Sequence, residues 1–594
     1  MRFAWFLIVF LLLAPSSAVA ESDHPPAGER KLKLALSTDF GNENHWRRVI
    51  DFAKTHDVER LVYWSYGEIC GFPTPWTYPG RPADFLEAGE RDTALQVQAS
   101  LRRSAKMTSE AGVEFWYVYQ ALMMPDLKRL RQVAPELLNS HGEPDMAGDA
   151  MYAFIAGQLD ELHSLAPEID GIEVWIMECA NVQIFRLAHQ PISTAEIIER
   201  LVATIYDACR KHGWKMTLDL HTAAGNTQTL QAILDAAKKR PDIIISGDNV
   251  IGDYSLVLPF NEHLREAAKT NPVCVHFDLN GEYWGRNYVP TSALSQYERD
   301  IEEARRLGVE SVNGRVSTAH DHWSPHGNIL PRYQKEYPPY ENQCLQVSCT
   351  DTLGRLNAHF FCRRARDPGV TREQAAKEFL VEQFSESAEA LVPVFLKVEE
   401  VNRGIFNMGR NYFAAQSVVR APWHYPLWGW DEYMTSPADT PFPTAAMHAR
   451  KRGMAAFAGW PTPVGHRTPG PRAILAEKAE AQRTAEQLLE QVKVVGASLD
   501  STDREFLVRQ FEDLVLFAQI YRLAAEVDVN ATLLNRNIAI DGLPDREGLD
   551  RAVKELRDVR AEWKTRYPAD PFGLLKLIDD GLSRYTAKES RKGE

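Results

Sequence analysis

From Lys31 onward the chain alternates short β-branched and apolar runs with longer amphipathic segments, and it does so eight times. This alternation restricts the fold more than any other feature, because a strand followed by a crossover helix and another strand builds a parallel sheet. The runs are Lys33–Ser37, Arg60–Tyr66, Val113–Gln120, Gly171–Met177, Lys215–His221, Asp242–Gly247, Val273–Leu279 and Ser311–Val316. Helical patterns lie between them, at Trp46–Thr55, Ala94–Ala111, Ala150–Leu165, Thr194–Lys211, Thr229–Lys239, Asn261–Thr270 and Ser295–Leu307. Eight such units close an α/β barrel of the (β/α)8 TIM type, assigned to residues 31–368. The competing architecture is a doubly wound open sheet. It would carry a Gly-rich phosphate loop after its first strand, and Thr38-Asp39-Phe40-Gly41 is not one.

Beyond Asp367-Pro368 the pattern becomes helical without strands. Apolar residues recur at helical spacing over Thr371–Val401, Ala473–Val495, Thr502–Val527 and Arg546–Arg566, which predicts a helical C-terminal domain over 369–594. An aromatic and Pro-rich loop at 406–471, with Trp423, Trp428, Trp430 and Trp460, interrupts these helices. So long an irregular stretch suits a wall of an active-site cleft, with packing filler as the alternative.

The N-terminus addresses the compartment. Met1-Arg2, the apolar run Trp5–Ala14 and Ala18-Val19-Ala20 read as a signal peptide over 1–20, so the protein is expected to be secreted or periplasmic. No later run reaches the length of a membrane span, so no membrane association is expected after cleavage. With 81 acidic against 67 basic residues the net charge is −14, which repels a phosphate backbone and argues against nucleic acid as a partner. The seven cysteines show no C-x-x-C pair, so neither a disulfide scaffold nor a structural zinc site is expected. Cys344 and Cys349 are close enough in sequence for a local disulfide.

Barrel chemistry sits at the C-terminal ends of the strands. In this chain those ends are followed by Asp39, Glu68, Gln120, Glu178, Asp219 with His221, Asp248 with Asp253, Asp278 with Glu282, and Arg315 with His320 and Asp321. Strand ends are polar in any barrel, and this accounts for part of the set. Glu178 stands apart because it terminates an otherwise apolar run, Ile172-Glu173-Val174-Trp175-Ile176-Met177. Carboxylates facing one another across a barrel mouth, flanked by aromatics, suit glycoside hydrolysis: one protonates the leaving oxygen and another attacks or activates water.

Asn357-Ala358-His359-Phe360-Phe361-Cys362-Arg363-Arg364-Ala365-Arg366-Asp367-Pro368, followed by Thr371-Arg372-Glu373-Gln374-Ala375-Ala376, resembles the passage from barrel into helical domain in the α-glucuronidases of glycoside hydrolase family 67. Asp170-Gly171 through Glu178 resembles the strand bearing its general acid. Asp248-Asn249-Val250-Ile251-Gly252-Asp253 and Asn280-Gly281-Glu282-Tyr283-Trp284-Gly285 resemble the loops bearing its base carboxylates. The resemblance spans Gly171 to Pro368 and, more loosely, the C-terminal helices. It implies an inverting, exo-acting enzyme with Glu178 as acid and with Asp253 and Glu282 as the base pair, using no cofactor and no metal.

The chain departs from that family in lacking a β-rich domain before the barrel. It also carries Trp175 where the family has a cation for the uronate carboxylate, and its fifth strand has no Arg. A buried carboxylate without a cation is costly, so either Arg286, Arg315 or a residue of the aromatic C-terminal stretch supplies that charge, or the substrate is a different sugar. Asp39, Trp175, His221 and Trp284 complete the expected substrate-binding set, with an oligosaccharide or glycoside as partner; the C-terminal helices are a candidate homodimer surface. Two alternatives stand beside this reading. One is a metal-dependent barrel hydrolase or isomerase using Asp219, His221 and Asp278; the other is a non-catalytic carbohydrate-binding barrel.

Overall fold

The computed structural model describes residues 31–39, 43–64, 74–176, 184, 187–220, 227–250, 254, 256–257, 259–285, 288–317, 323–325, 328–337, 344–408, 411–412, 436–440, 467–568, 575, 578–579 and 582. Eight strands form a closed barrel in which each pairs parallel with the next and β8 returns to β1. They are β1 Lys33–Asp39, β2 Arg60–Trp64, β3 Glu114–Gln120, β4 Ile169–Trp175, β5 Lys215–Asp219, β6 Ile244–Asp248, β7 Val273–Asp278 and β8 Ser311–Arg315. The barrel expected from the sequence is the one observed, with strand limits moved by a few residues. The signal-peptide segment lies outside the described residues.

Strand parity explains how these runs face. On β4 the outward residues Ile172 and Val174 join the large core shared with the surrounding helices, while Glu173 and Trp175 turn into the barrel. On β7 the outward set is Val273, Val275 and Phe277, and the inward set includes Cys274 and His276. The interior is packed by Ala35, Val62, Trp64, Trp116, Val118, Trp175, Ile244 and Cys274, so the barrel is filled rather than open. Gly171 is required by this packing, because a Cβ there would lie 2.6–2.7 Å from the Trp116 ring. Gly171→Ala should therefore cost about 1–3 kcal/mol through overpacking, read as a lower denaturation midpoint.

The crossover helices carry the local signals that the sequence offers. Ser193 caps Thr194–His212, accepting from Glu196 N, and Gly213 ends that helix at φ +74°, a left-handed conformation that glycine adopts without strain. Past the barrel, Arg355–Arg366 packs against β1 and β8, followed by Arg372–Gln383 and Val392–Phe406. The single helical pattern read over Thr371–Val401 is thus two helices joined by a 3-10 turn at Glu386–Leu391, and Pro393 occupies the first turn of the second, where its missing N–H is harmless. Pro471–Val495, Ser501–Arg536 and Arg546–Arg566 complete the helical region.

This region shares one continuous apolar core with the outside of the barrel. Polar side chains stitch the join. Asn402 accepts from Ser292 N at 2.9 Å and donates to Pro290 O at 3.1 Å, and Gln510 donates to Asn328 at 2.8 Å. Most of the 406–471 loop lies outside the described residues. Cys349 is a buried free thiol, which removes the disulfide with Cys344. Asn530, in the sequon Asn530-Ala531-Thr532, is 3% exposed and donates to Glu526 O, so the folded chain does not present it for glycosylation.

Three histidines are buried in a form that favours the neutral ring. Burial lowers His45 to about 4 and His359 to about 3, and it lowers His56 as well. His56 Nε2 lies 3.0 Å from His359 Nδ1. Each depressed value means that the unfolded chain binds the proton more readily. The stability linked to these groups is therefore complete above the ordinary histidine value near 6.5 and is lost as pH falls through the folded values. Scanning calorimetry should show the midpoint dropping between pH 7 and pH 4, with a shallower drop in His359→Gln.

Candidate active site

The C-terminal mouth of the barrel holds an ion pair between Arg315, at the end of β8, and Glu282, in the loop after β7. Arg315 Nη1 donates to Glu282 Oε2 at 3.0 Å, with 7% and 12% of the two side chains exposed. The guanidinium carbon lies 4.9 Å from the Trp64 ring and 4.8 Å from the Tyr254 ring. Both rings lie at cation–π distance from the guanidinium, which favours a fixed side chain. Tyr254 reaches this place with φ +61°, a left-handed conformation rare for a bulky residue and held here by the surroundings.

The loop that presents Glu282 is built by Asp278. Its carboxylate accepts backbone N–H bonds from Asn280 at 2.9 Å, Gly281 at 3.0 Å and Glu282 at 2.5 Å. Gly281 has φ +79°, and the Trp284 ring would lie 3.1 Å from a Cβ placed there. Asp278 is therefore committed to shaping a turn, which argues against it as a metal ligand beside Asp219. Trp284 is 1% exposed and Trp175 2% exposed, so both indoles are packed within the mouth rather than offered as open platforms.

One layer deeper lies a group that the strand-end reading did not single out. His276 on β7 sits between two carboxylates, with Nε2 3.5 Å from Glu173 Oε2 and Nδ1 3.5 Å from Asp219 Oδ2. All three are buried, and each offers a ligand atom within 4.8 Å of the others. The imidazole faces one carboxylate with each of its two nitrogens. The arrangement suits a protonated ring bridging two anions. Burial alone would lower His276, but Glu173, the Cys274 thiol and Asp219 hold it well above its ordinary value. Burial would likewise raise Glu173, and His276, the Trp175 indole and Arg315 reverse this and hold it low. Trp175 Nε1 donates to Glu173 Oε1 at 2.9 Å, and Ser246 Oγ donates to Asp219 Oδ2 at 2.7 Å.

Of the residues expected from the sequence, Glu282, Arg315, Trp175 and Trp284 are placed at this end of the barrel. Asp39 is the last residue of β1. Glu178, Asp253, His221 and Arg286 lie outside the described residues, as do Glu68, His320 and Asp321. Glu173 and His276 were legible in principle: in Val273-Cys274-Val275-His276-Phe277-Asp278 the apolar parity points outward and leaves His276 facing in.

No family model matches the chain, and no curated protein matches it. Among solved structures it aligns with a GH138 enzyme targeting pectin rhamnogalacturonan II, over 96% of this chain and 85% of that one, at TM-score 0.59 and 9% identity. It also aligns with a mutant of the Thermobaculum terrenum O-GlcNAc hydrolase (95% and 97% covered, TM-score 0.43, 8% identity). A third match is a GH20 exo-β-N-acetylglucosaminidase from Vibrio harveyi (56% and 58% covered, TM-score 0.33, 13% identity). Likeness at these identities speaks to fold, and only the first is close enough to use. The family 67 assignment rests on the residue resemblance alone. The chain folds as a (β/α)8 barrel with a helical C-terminal region, an architecture shared along nearly its whole length with a glycoside hydrolase.

Proposed function

We propose that this protein is a secreted or periplasmic glycoside hydrolase, acting with inversion from the ends of uronic-acid-containing polysaccharide fragments. The observation that carries the reading is the Glu282–Arg315 pair at the barrel mouth, walled by Trp64 and Tyr254. A carboxylate paired with a guanidinium is an acceptor, which suits activation of water rather than donation of a proton. Glu282 and Asp253 serve as the base side, and Glu178 protonates the leaving oxygen. Arg315 is also the cation best placed among the described residues to meet a uronate carboxylate, through bidentate hydrogen bonding.

Inversion requires acid and base carboxyl groups about 6.5–9.5 Å apart, leaving room for the water. The test is hydrolysis of a panel of aryl glycosides and uronic-acid oligosaccharides, with the first-formed anomer read by NMR. Turnover of uronate-bearing substrates to an inverted product is expected. A retained anomer or a trapped glycosyl-enzyme would overturn the mechanism, and sugar binding without turnover across the panel would leave a carbohydrate-binding barrel.

A further inference from the structure

We propose that His276 is the positioning residue of the mouth: by bridging Glu173 and Asp219 it fixes the carboxylate that holds the Trp175 indole, and through Trp175 and Trp64 it sets the wall against which Arg315 presents Glu282. His276 contacts Glu173 from β4 and Asp219 from β5 at 3.5 Å each, and Glu173 accepts from Trp175 Nε1 at 2.9 Å. Trp175 meets Trp64 edge to face, with centroids 4.6 Å apart and planes at 80°. Trp64 lies under Arg315, which pairs with Glu282.

The other groups about His276 are Cys274 on its own strand, Asp248 and Asn313 in register on β6 and β8, and the Arg315 charge acting on Glu173. Every residue in the chain of contacts is buried except Glu282, whose side chain is 12% exposed, so a change at the His276 end has little solvent to absorb it. The bridge also gives a physical reason for two carboxylates buried inside the barrel. Unpaired they would be strongly disfavoured, and one imidazolium between them compensates both.

The kinetic arm of the test rests on the glycosidase reading and the spectroscopic arm does not. The indole 1H–15N peak of Trp175, identified by its loss in Trp175→Phe, is expected to shift in both His276→Gln and Glu173→Gln. On the best uronate substrate each variant should lose about 10²-fold in kcat with KM little changed, the signature of misplaced groups. The double variant should be no worse than the poorer single one, because both act through one contact chain. If His276→Gln does not fold, the isosteric Glu173→Gln answers the same questions. An unmoved indole peak, an effect confined to KM, or multiplicative losses would overturn the proposal. So would one equivalent of zinc retained by the wild type and lost in His276→Gln, which would make the trio a metal centre. If the wild type turns over no glycoside, the functional reading fails while the indole shift still decides the bridge.

Discussion

Replacing Glu282 by Gln is expected to lower kcat by about 10²–10⁴-fold on natural linkages and activated aryl glycosides alike, because both need the attacking water deprotonated. Glu178→Gln should behave differently. Natural linkages, with poor leaving groups, should lose activity over the same range, whereas activated aryl glycosides should be far less affected because their leaving oxygen needs little protonation. The contrast is stronger evidence than either loss alone, since misfolding or weakened binding depresses both substrates for either variant. The Glu282–Arg315 pair sharpens the expectation: Gln keeps a hydrogen-bond acceptor for Arg315 Nη1 and removes the charge. A preserved fold, checked by circular dichroism, with equal losses for Glu178→Gln on both substrates would rule out its role as general acid.

Trp563→Ala should destabilise the protein by about 3–5 kcal/mol, the range for emptying a buried aromatic site. Trp563 is fully buried in the last long helix, packing edge to face on Phe517 at 5.4 Å and against Tyr567 at 4.6 Å. The Tyr567 hydroxyl donates to Asp513 at 2.6 Å, and Arg566 pairs with the same carboxylate at 2.7 Å. Losing the indole therefore loosens a ring that helps place a polar partner of a buried acid, and burial already raises Asp513 to about 6. Urea denaturation should show a lower midpoint with an unchanged slope. Val494→Ala, at a position 75% exposed, should stay within about 0.5 kcal/mol of the parent. An unchanged midpoint in Trp563→Ala would mean that the helical region lies outside the cooperative core.

The barrel was legible because eight short apolar runs alternate with longer amphipathic segments, the pattern of repeated βα units. Arg546–Arg566 was readable to its end residues, since Asp545 caps it, accepting from Gly548 N, and apolar residues recur along one stripe. Boundaries slipped where the local signal continues past the tertiary support. The strand patterns run on in sequence, but β4 stops at Trp175 and β5 at Asp219, with Ile176 and Leu220 already outside them. The break at Glu386–Leu391 went unread because apolar spacing persists through it, and the turn is set by packing rather than by a glycine.

Reading the strand ends named Glu282 and Arg315, which pair at 3.0 Å, and passed over Glu173 and His276, which lie within their strands. By itself the sequence determined the fold class and the polar groups gathered at the strand ends, because the alternation of short apolar runs with amphipathic segments is a local property of the chain. Only the tertiary structure decided that His276 of β7 reaches both Glu173 of β4 and Asp219 of β5, and that Arg315 lies between Trp64 and Tyr254 beside Glu282. Those meetings depend on how far each strand is staggered as the barrel closes, and stagger is fixed by the packing of the whole ring rather than by any one segment.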